Sequence, residues 1–342
     1  MAFWSKALWV HRYHKYSHIA NARLTVWRHV QRLRRLKTRL NGRPLVAIAL
    51  SEQLGDIVAC EPVIREARRR HPDGHLIWFV RKPYAELVAH HPDLNEHLIE
   101  GCPGERARLI GSGVFDVVYN MHLSNRRCPY CPDIPVNPIA DQLDITYANY
   151  YFKGNLLWVF SQAAGLPPLE DEPRVYVPET SRQRVASLNL PANAIVVHCQ
   201  SSYAPRDWRV DHWNRLVQFL LDNTTYPVIE VGLKPIIRLS HPRLINLCGQ
   251  LSILETAEVI RHAQLFIGID SGPAHLANAV GTDAVLMLGK TADFVEFMPY
   301  SGRYKRGEGV QILNWLGHPC EELPYDWVEE AVAKRLNLTR SV

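Results

Sequence analysis

The sequence predicts an α/β protein built on two parallel β-sheets, each covered by helices on both faces, and three features predict it. From Pro44 onward, short apolar runs recur: "PLVAIAL", "HLIWFV" and "FDVVYNM", then "AIVVHC", "YPVIEVG", "RLINLCG", "AQLFIGI" and "AVLMLG". Continuous runs mark strands buried on both faces, whereas a strand with one wet face would alternate. Amphipathic stretches of helical period separate the runs, as crossover helices between parallel strands would. The proline-rich "GLPPLEDEPRVYVPE" at 165–179 divides the runs into two series. The expectation is two Rossmann-like domains, at 44–170 and 171–324, preceded by an extension at 1–43 and followed by a last helix at 325–342.

At 342 residues and 47% hydrophobic content the chain can bury a sizeable core, and about two domains is the default for that length. The net charge of +5 is unevenly spread, because residues 1–51 hold eleven Lys or Arg and no carboxylate. The body is therefore mildly acidic and the N-terminal segment basic. Within that segment Val26, Val30, Leu33, Leu36 and Leu40 fall at helical spacing, and Arg28, Arg32, Arg34, Arg35, Lys37 and Arg39 occupy the rest of the surface. With Trp4, Trp9 and Trp27 this reads as a basic amphipathic helix suited to an anionic membrane surface, where each basic residue is worth roughly 1 kcal/mol. A helix packed on its own domain or on a partner chain accounts for the same pattern. No apolar run approaches the ~18 residues of a membrane span, and no signal-peptide core is visible, so the chain reads as cytoplasmic. Seven scattered cysteines argue against a secreted disulfide framework.

In open parallel sheets the residues just after each strand line the ligand site. The first run leads into "LSEQLGDIVACEPVI", where Gly55 permits a tight turn and Asp56 opens a helix. Asp56 is either a helix-start residue favoured by the macrodipole or a general base. After "FDVVYNM" comes "CPYCPDIPVNP", whose Cys128 and Cys131 form half of a tetrahedral metal set that Cys102, His122 or Cys320 could complete. Two free thiols are the alternative.

In the second series, "AIVVHCQSSYAPRDWRVDHW" brings Ser201, Ser202 and Arg206 to a strand end, a combination that can hold phosphate. Arg206 paired with Asp207 or another surface carboxylate is the alternative. The strongest signal is "FIGIDSGPAHLANAVG", in which a buried strand passes through Asp270, Ser271 and Gly272 into a helix with Pro273 in its first turn. Unpaired N–H groups and the positive dipole end suit an anion, most readily a pyrophosphate, and His275 sits one turn in. A simple helix cap with a packed histidine is the alternative. "AVLMLGKT" ends like a phosphate-binding loop but has Ala284 in place of its first glycine. "GSGVFD" precedes a strand rather than following one, so neither supports an ATPase or a nicotinamide enzyme.

Over about 44–325, through "LGDIVACEPVI", "RDWRVDHW" and "DSGPAHLANAVGTDAVLMLGKT", the sequence resembles glycosyltransferase family 9, the heptosyltransferases of lipopolysaccharide assembly. The resemblance implies a GT-B fold, two facing Rossmann-like domains with a cleft between them: acceptor domain first, nucleotide-sugar donor domain second, last helix returning to the first domain. It implies Asp56 as the catalytic base on the acceptor side. Gly55, Ser201, Ser202, Arg206, Asp270, Ser271, Gly272, Pro273 and His275 would bind the donor. The family's basic residue is commonly Lys, where this chain has Arg206. Its acidic ribose ligand falls at Lys234, which leaves Glu230 as the nearest carboxylate. The implied activity is inverting, metal-independent transfer of a heptose or related sugar from ADP-heptose or another nucleotide-sugar to a glycan or glycolipid. No cofactor is required and no nucleic acid takes part. A peripheral location on the inner face of the bacterial inner membrane would follow. Some protein-modifying members of the family carry a four-cysteine iron-binding finger. A nucleotide-sugar epimerase on the same fold and a catalytically silent scaffold are the competing readings, and the acceptor, whether lipopolysaccharide core, another glycan or a protein hydroxyl, stays open.

Overall fold

The computed structural model describes residues 6–338, which form two compact units. Trp4 lies outside the described residues. The first unit runs through Glu52 and includes Val63–Tyr150 and Val159–Leu169; the second holds Gln53–Pro62, Tyr151–Trp158 and the described chain from Glu170 on.

The first unit is built on a parallel sheet of β1 (Leu45–Ala49), β2 (His75–Val80), β3 (Glu96–Ile99) and β4 (Val117–Asn120), in the order β3-β2-β1-β4. The register sets Ala47 of β1 beside Ile77 of β2 and Val118 of β4. One layer over this sheet comes from the N-terminal helix, Lys6–Leu40, which runs 35 residues because no Gly or Pro interrupts it. Its stripe of Val26, Val30, Leu33 and Leu40 is buried against Leu45, Ala47, Ile77, Phe79 and Leu98, with Leu36 half-buried at the margin. Burying each such side chain is worth roughly 1.5–3 kcal/mol. The exposed pairs Arg32–Glu96 and Lys37–Asp116, both at 2.6 Å, contribute under about 1 kcal/mol each. Apolar burial thus decides the docking. Residues 22–40 are therefore a structural layer of the first unit and not a separable extension, which corrects the boundary expected at residue 43.

The second unit's sheet holds β5 (Ile195–His198), β6 (Val228–Glu230), β7 (Leu244–Asn246), β8 (Leu265–Ile269), β9 (Ala284–Leu288) and β10 (Val310–Asn314). All pairs are parallel, in the order β10-β9-β8-β5-β6-β7. The order reverses between β5 and β8, as it does between β1 and β4 in the first sheet, and such reversals are where doubly wound sheets bind ligands. The expected class, two α/β units on parallel sheets, is borne out.

The last helix, Tyr325–Arg335, packs on β9 and β10, with Val328, Ala331 and Val332 in one cluster with Trp208, Trp213 and Met287. Trp208 fixes the preceding turn, donating from Nε1 to the Leu323 carbonyl at 2.9 Å and stacking with Tyr325 at 6.1 Å between ring centroids.

Candidate functional site

The sheet reversal places the ends of β5 and β8 side by side, so His198 at one end meets Ser271 just beyond the other. Ser271 is extended (φ −161°, ψ 173°) and opens the helix Gly272–Val280, with Pro273 in the first turn. Its hydroxyl does not cap that helix. Oγ donates to the Ile269 carbonyl at 3.1 Å and lies 3.0 Å from His198 Nδ1. A hydroxyl has one proton to give, so Nδ1–H of His198 is the donor in the second bond. Burial lowers the His198 pKa to about 4, so the ring is neutral at pH 7. Sequence reasoning passed over His198, although a polar residue closing the apolar run "AIVVHC" was a usable signal.

One turn into the helix, His275 is buried, its ring 4.7 Å from that of Tyr300. Its Nδ1 has no hydrogen-bond partner among the described residues. Burial holds its pKa at about 4, with Asp270 pulling it up and Arg206 pushing it down. Asp270 is also buried, paired with the Arg206 guanidinium at 3.3 Å and accepting from the Tyr300 hydroxyl at 3.4 Å. Arg206 Nε donates to Thr291 Oγ1 at 3.2 Å. Asp270 and Thr291 thus orient the guanidinium, and Asp270, not Asp207, is the carboxylate that Arg206 pairs with.

The other donor-side residues are placed differently. Ser201 Oγ donates to Asp207 Oδ1 at 2.7 Å and accepts from the Tyr203 amide at 3.1 Å, so it shapes the turn before Arg206. Ser202 is exposed. Glu230 is buried, and its Oε1 accepts from the amides of Ile236 at 2.6 Å and Ile237 at 3.2 Å. That carboxylate organises the loop after β6, and Lys234 is exposed on the same loop.

Asp56 lies in the short helix Leu54–Ala59, where its Oδ2 accepts from the Gln53 amide at 3.2 Å as in a capping box. This helix belongs with the second unit, which corrects the expectation that Asp56 and the Ser271 turn stand on opposite domains. The physical reason is a pair of glycines. A Cβ on Gly55 would lie 2.7 Å from His275 Cδ2, and one on Gly272 would lie 2.5 Å from Leu54 Cδ2. Only hydrogens at both positions let the two helix starts abut.

Cys128 and Cys131 lie in the first unit beside Cys102 and His18. His122 is engaged elsewhere, its Nε2 accepting from the Ser51 amide at 2.9 Å, and Cys320 is buried in the second unit. His18 is a ligand candidate that spacing could not reveal, since it stands 110 residues before Cys128.

Residues 155–306 match the model of glycosyltransferase family 9 (heptosyltransferase). A 60-residue stretch is 43% identical to lipopolysaccharide heptosyltransferase 3 of Escherichia coli; it spans 18% of this chain and 17% of that protein. The fold resembles a glycosyl transferase family 9 structure from Veillonella parvula, with a TM-score of 0.64 at 15% identity over 86% of this chain and 97% of that one. It also resembles E. coli ADP-heptose lipopolysaccharide heptosyltransferase II, with a TM-score of 0.61 at 15% identity over 86% and 99%. The match over residues 155–306 bears out the resemblance to glycosyltransferase family 9 carried by the motifs, and the likeness in fold extends over most of the chain.

Proposed function

We propose that the chain is a heptosyltransferase-type glycosyltransferase, moving a sugar from a nucleoside diphosphate donor to a hydroxyl of a lipopolysaccharide-type acceptor. One observation carries the reading: the Ser271–His275 turn stands at the strand-order reversal of the second sheet, with Arg206 oriented beside it and His275 Nδ1 buried without a partner among the described residues. An unpaired buried nitrogen costs about 1–3 kcal/mol, which a phosphate oxygen would offset. In this reading the helix start and Arg206 stabilise the charge that develops on the leaving diphosphate. Asp56 takes the acceptor proton as the oxygen attacks the anomeric carbon, and a single displacement inverts the anomer without a metal. ADP-heptose is the donor to try first, since the E. coli structural relative is named for it.

The N-terminal helix supports a location at the membrane. Trp9, Tyr13, Tyr16, Leu24 and Trp27 are exposed at helical spacing among basic residues, an arrangement that suits an anionic leaflet.

The donor site is tested by calorimetry with ADP and ADP-heptose. Ser271→Ala and His275→Ala should each weaken binding by about 1–3 kcal/mol, the scale of a lost charge-assisted hydrogen bond. Unchanged affinity in both variants would reduce the turn to a structural cap.

A further inference from the structure

Away from the donor turn, the first unit gathers four ligand-type side chains from three separate segments. Cys102 precedes the helix Pro103–Gly111, Cys128 and Cys131 lie in the loop after β4, and His18 comes from the N-terminal helix. Their ligand atoms all lie within 4.8 Å of one another. Cys128 Sγ is 3.3 Å from His18 Nε2, and Cys102 Sγ is 3.7 Å from Cys131 Sγ. Around a tetrahedral zinc, with Zn–S of about 2.3 Å and Zn–N of about 2.0 Å, two sulfurs stand about 3.8 Å apart and a sulfur and a nitrogen about 3.5 Å apart. Both measured edges match. The sulfur pair is also far beyond the ~2.05 Å of a disulfide, and all seven cysteines are free.

The surroundings fit a thiolate site. Cys102 and Cys128 are buried, while Cys131 is partly exposed. The backbone amides of Tyr130 and Cys131 donate to the Cys128 sulfur. Gly104 in the next helical turn makes room, since a Cβ there would lie 2.5 Å from Cys131 Cβ. His18 shares the inner face of its helix with Ala22 and Val26, so it points toward the same side as the residues packed on the sheet. The Tyr130 ring lies beside it, tilted by 52° with ring centroids 5.3 Å apart.

We propose that His18, Cys102, Cys128 and Cys131 form a structural zinc site that fastens the first half of the N-terminal helix to the first unit. Between Trp9 and Tyr16 the helix exposes its large apolar side chains, Trp9, Val10, Tyr13 and Tyr16. The metal holds what apolar packing does not. Zinc displaces the thiol protons on binding, and with four protein ligands there is no open position for catalysis. The site is independent of the donor turn, and its test does not use transfer activity.

The test is metal analysis of the full chain, purified with reductant and without a polyhistidine tag, together with mass spectrometry of its thiols. Wild type should carry about one zinc per chain, and Cys128→Ser/Cys131→Ser and His18→Ala should fall roughly tenfold below it. Cys248→Ser, in the other unit, should keep the metal. Limited trypsin digestion of zinc-loaded and chelated wild type supplies a second reading that needs no variant, and cleavage after Arg12 and Lys15 should rise several-fold on chelation. A chain that neither carries zinc nor takes it up when supplied would overturn the site, as would a Cys102–Cys131 disulfide in the freshly purified protein. One iron per chain, lost in the same variants, would overturn the assignment to zinc. Unchanged cleavage on chelation would overturn the fastening role.

Discussion

Gly55 and His275 are packed so closely that a single added methyl group would collide with the imidazole, at 2.7 Å from Cδ2 and 3.1 Å from Nε2. The histidine is buried and cannot swing into solvent, so the collision must move either the ring or the Asp56 helix.

Gly55→Ala should therefore do more than destabilise. Overpacking of this kind costs typically about 1–3 kcal/mol, and here it displaces a residue of the proposed donor turn. We expect a lower thermal midpoint together with weaker nucleoside diphosphate binding. A variant of normal donor affinity would show that His275 is not used by the ligand.

Acid should weaken the fold through its buried histidines. His198 and His275 are each held at about 4 by burial, against an ordinary value of about 6.5. His122 is also lowered, by burial and then by Arg106, Arg126 and Arg81. Between about pH 6.5 and pH 4 the unfolded chain takes up protons that the folded one refuses, so stability falls as pH falls and levels off below about 4. His198 and His275 each contribute on the order of 3 kcal/mol across that window. Glu100 and Glu230, raised by burial, act in the opposite sense at the acid end. Thermal midpoints of wild type should drop from pH 7 to pH 4.5, and His275→Gln should drop less. Parallel curves would contradict the assignment for His275.

The exposed aromatic face of the N-terminal helix calls for point substitutions, because deleting residues 1–43 would remove Val26, Val30, Leu33 and Leu40 from the core. Trp9→Ala/Tyr13→Ala/Trp27→Ala should weaken cosedimentation with anionic vesicles by roughly tenfold or more while leaving ADP binding intact. Equal vesicle binding would show that this face does not bind membranes.

Much of this was legible in the residues. The continuous apolar runs announced parallel strands buried on both faces, and the Asp270–His275 turn announced a helix start at a strand end. The rest depended on packing between distant segments. The helical stripe from Val26 to Leu40 looks the same whether its partner is a sheet or a membrane, and only the docked sheet decides between them. Asp56 falls within the first series of strands, yet two missing Cβ atoms tie its helix to the second unit. Ser201 and Glu230 have the chemistry of donor ligands, but backbone amides of their own loops engage them. His18 needs the fold to meet its cysteines.

In the proposed reaction Asp56 takes a proton, and Asp56→Asn tests that role. Asparagine keeps the volume and an oxygen to accept from the Gln53 amide, so the helix start should survive, but it cannot serve as the base. Donor affinity and acceptor-dependent sugar transfer are measured on wild type and variant under the same conditions. Affinity should be unchanged and transfer lowered by roughly 10²-fold or more. Transfer near the wild-type rate would contradict that role and leave Asp56 a helix cap.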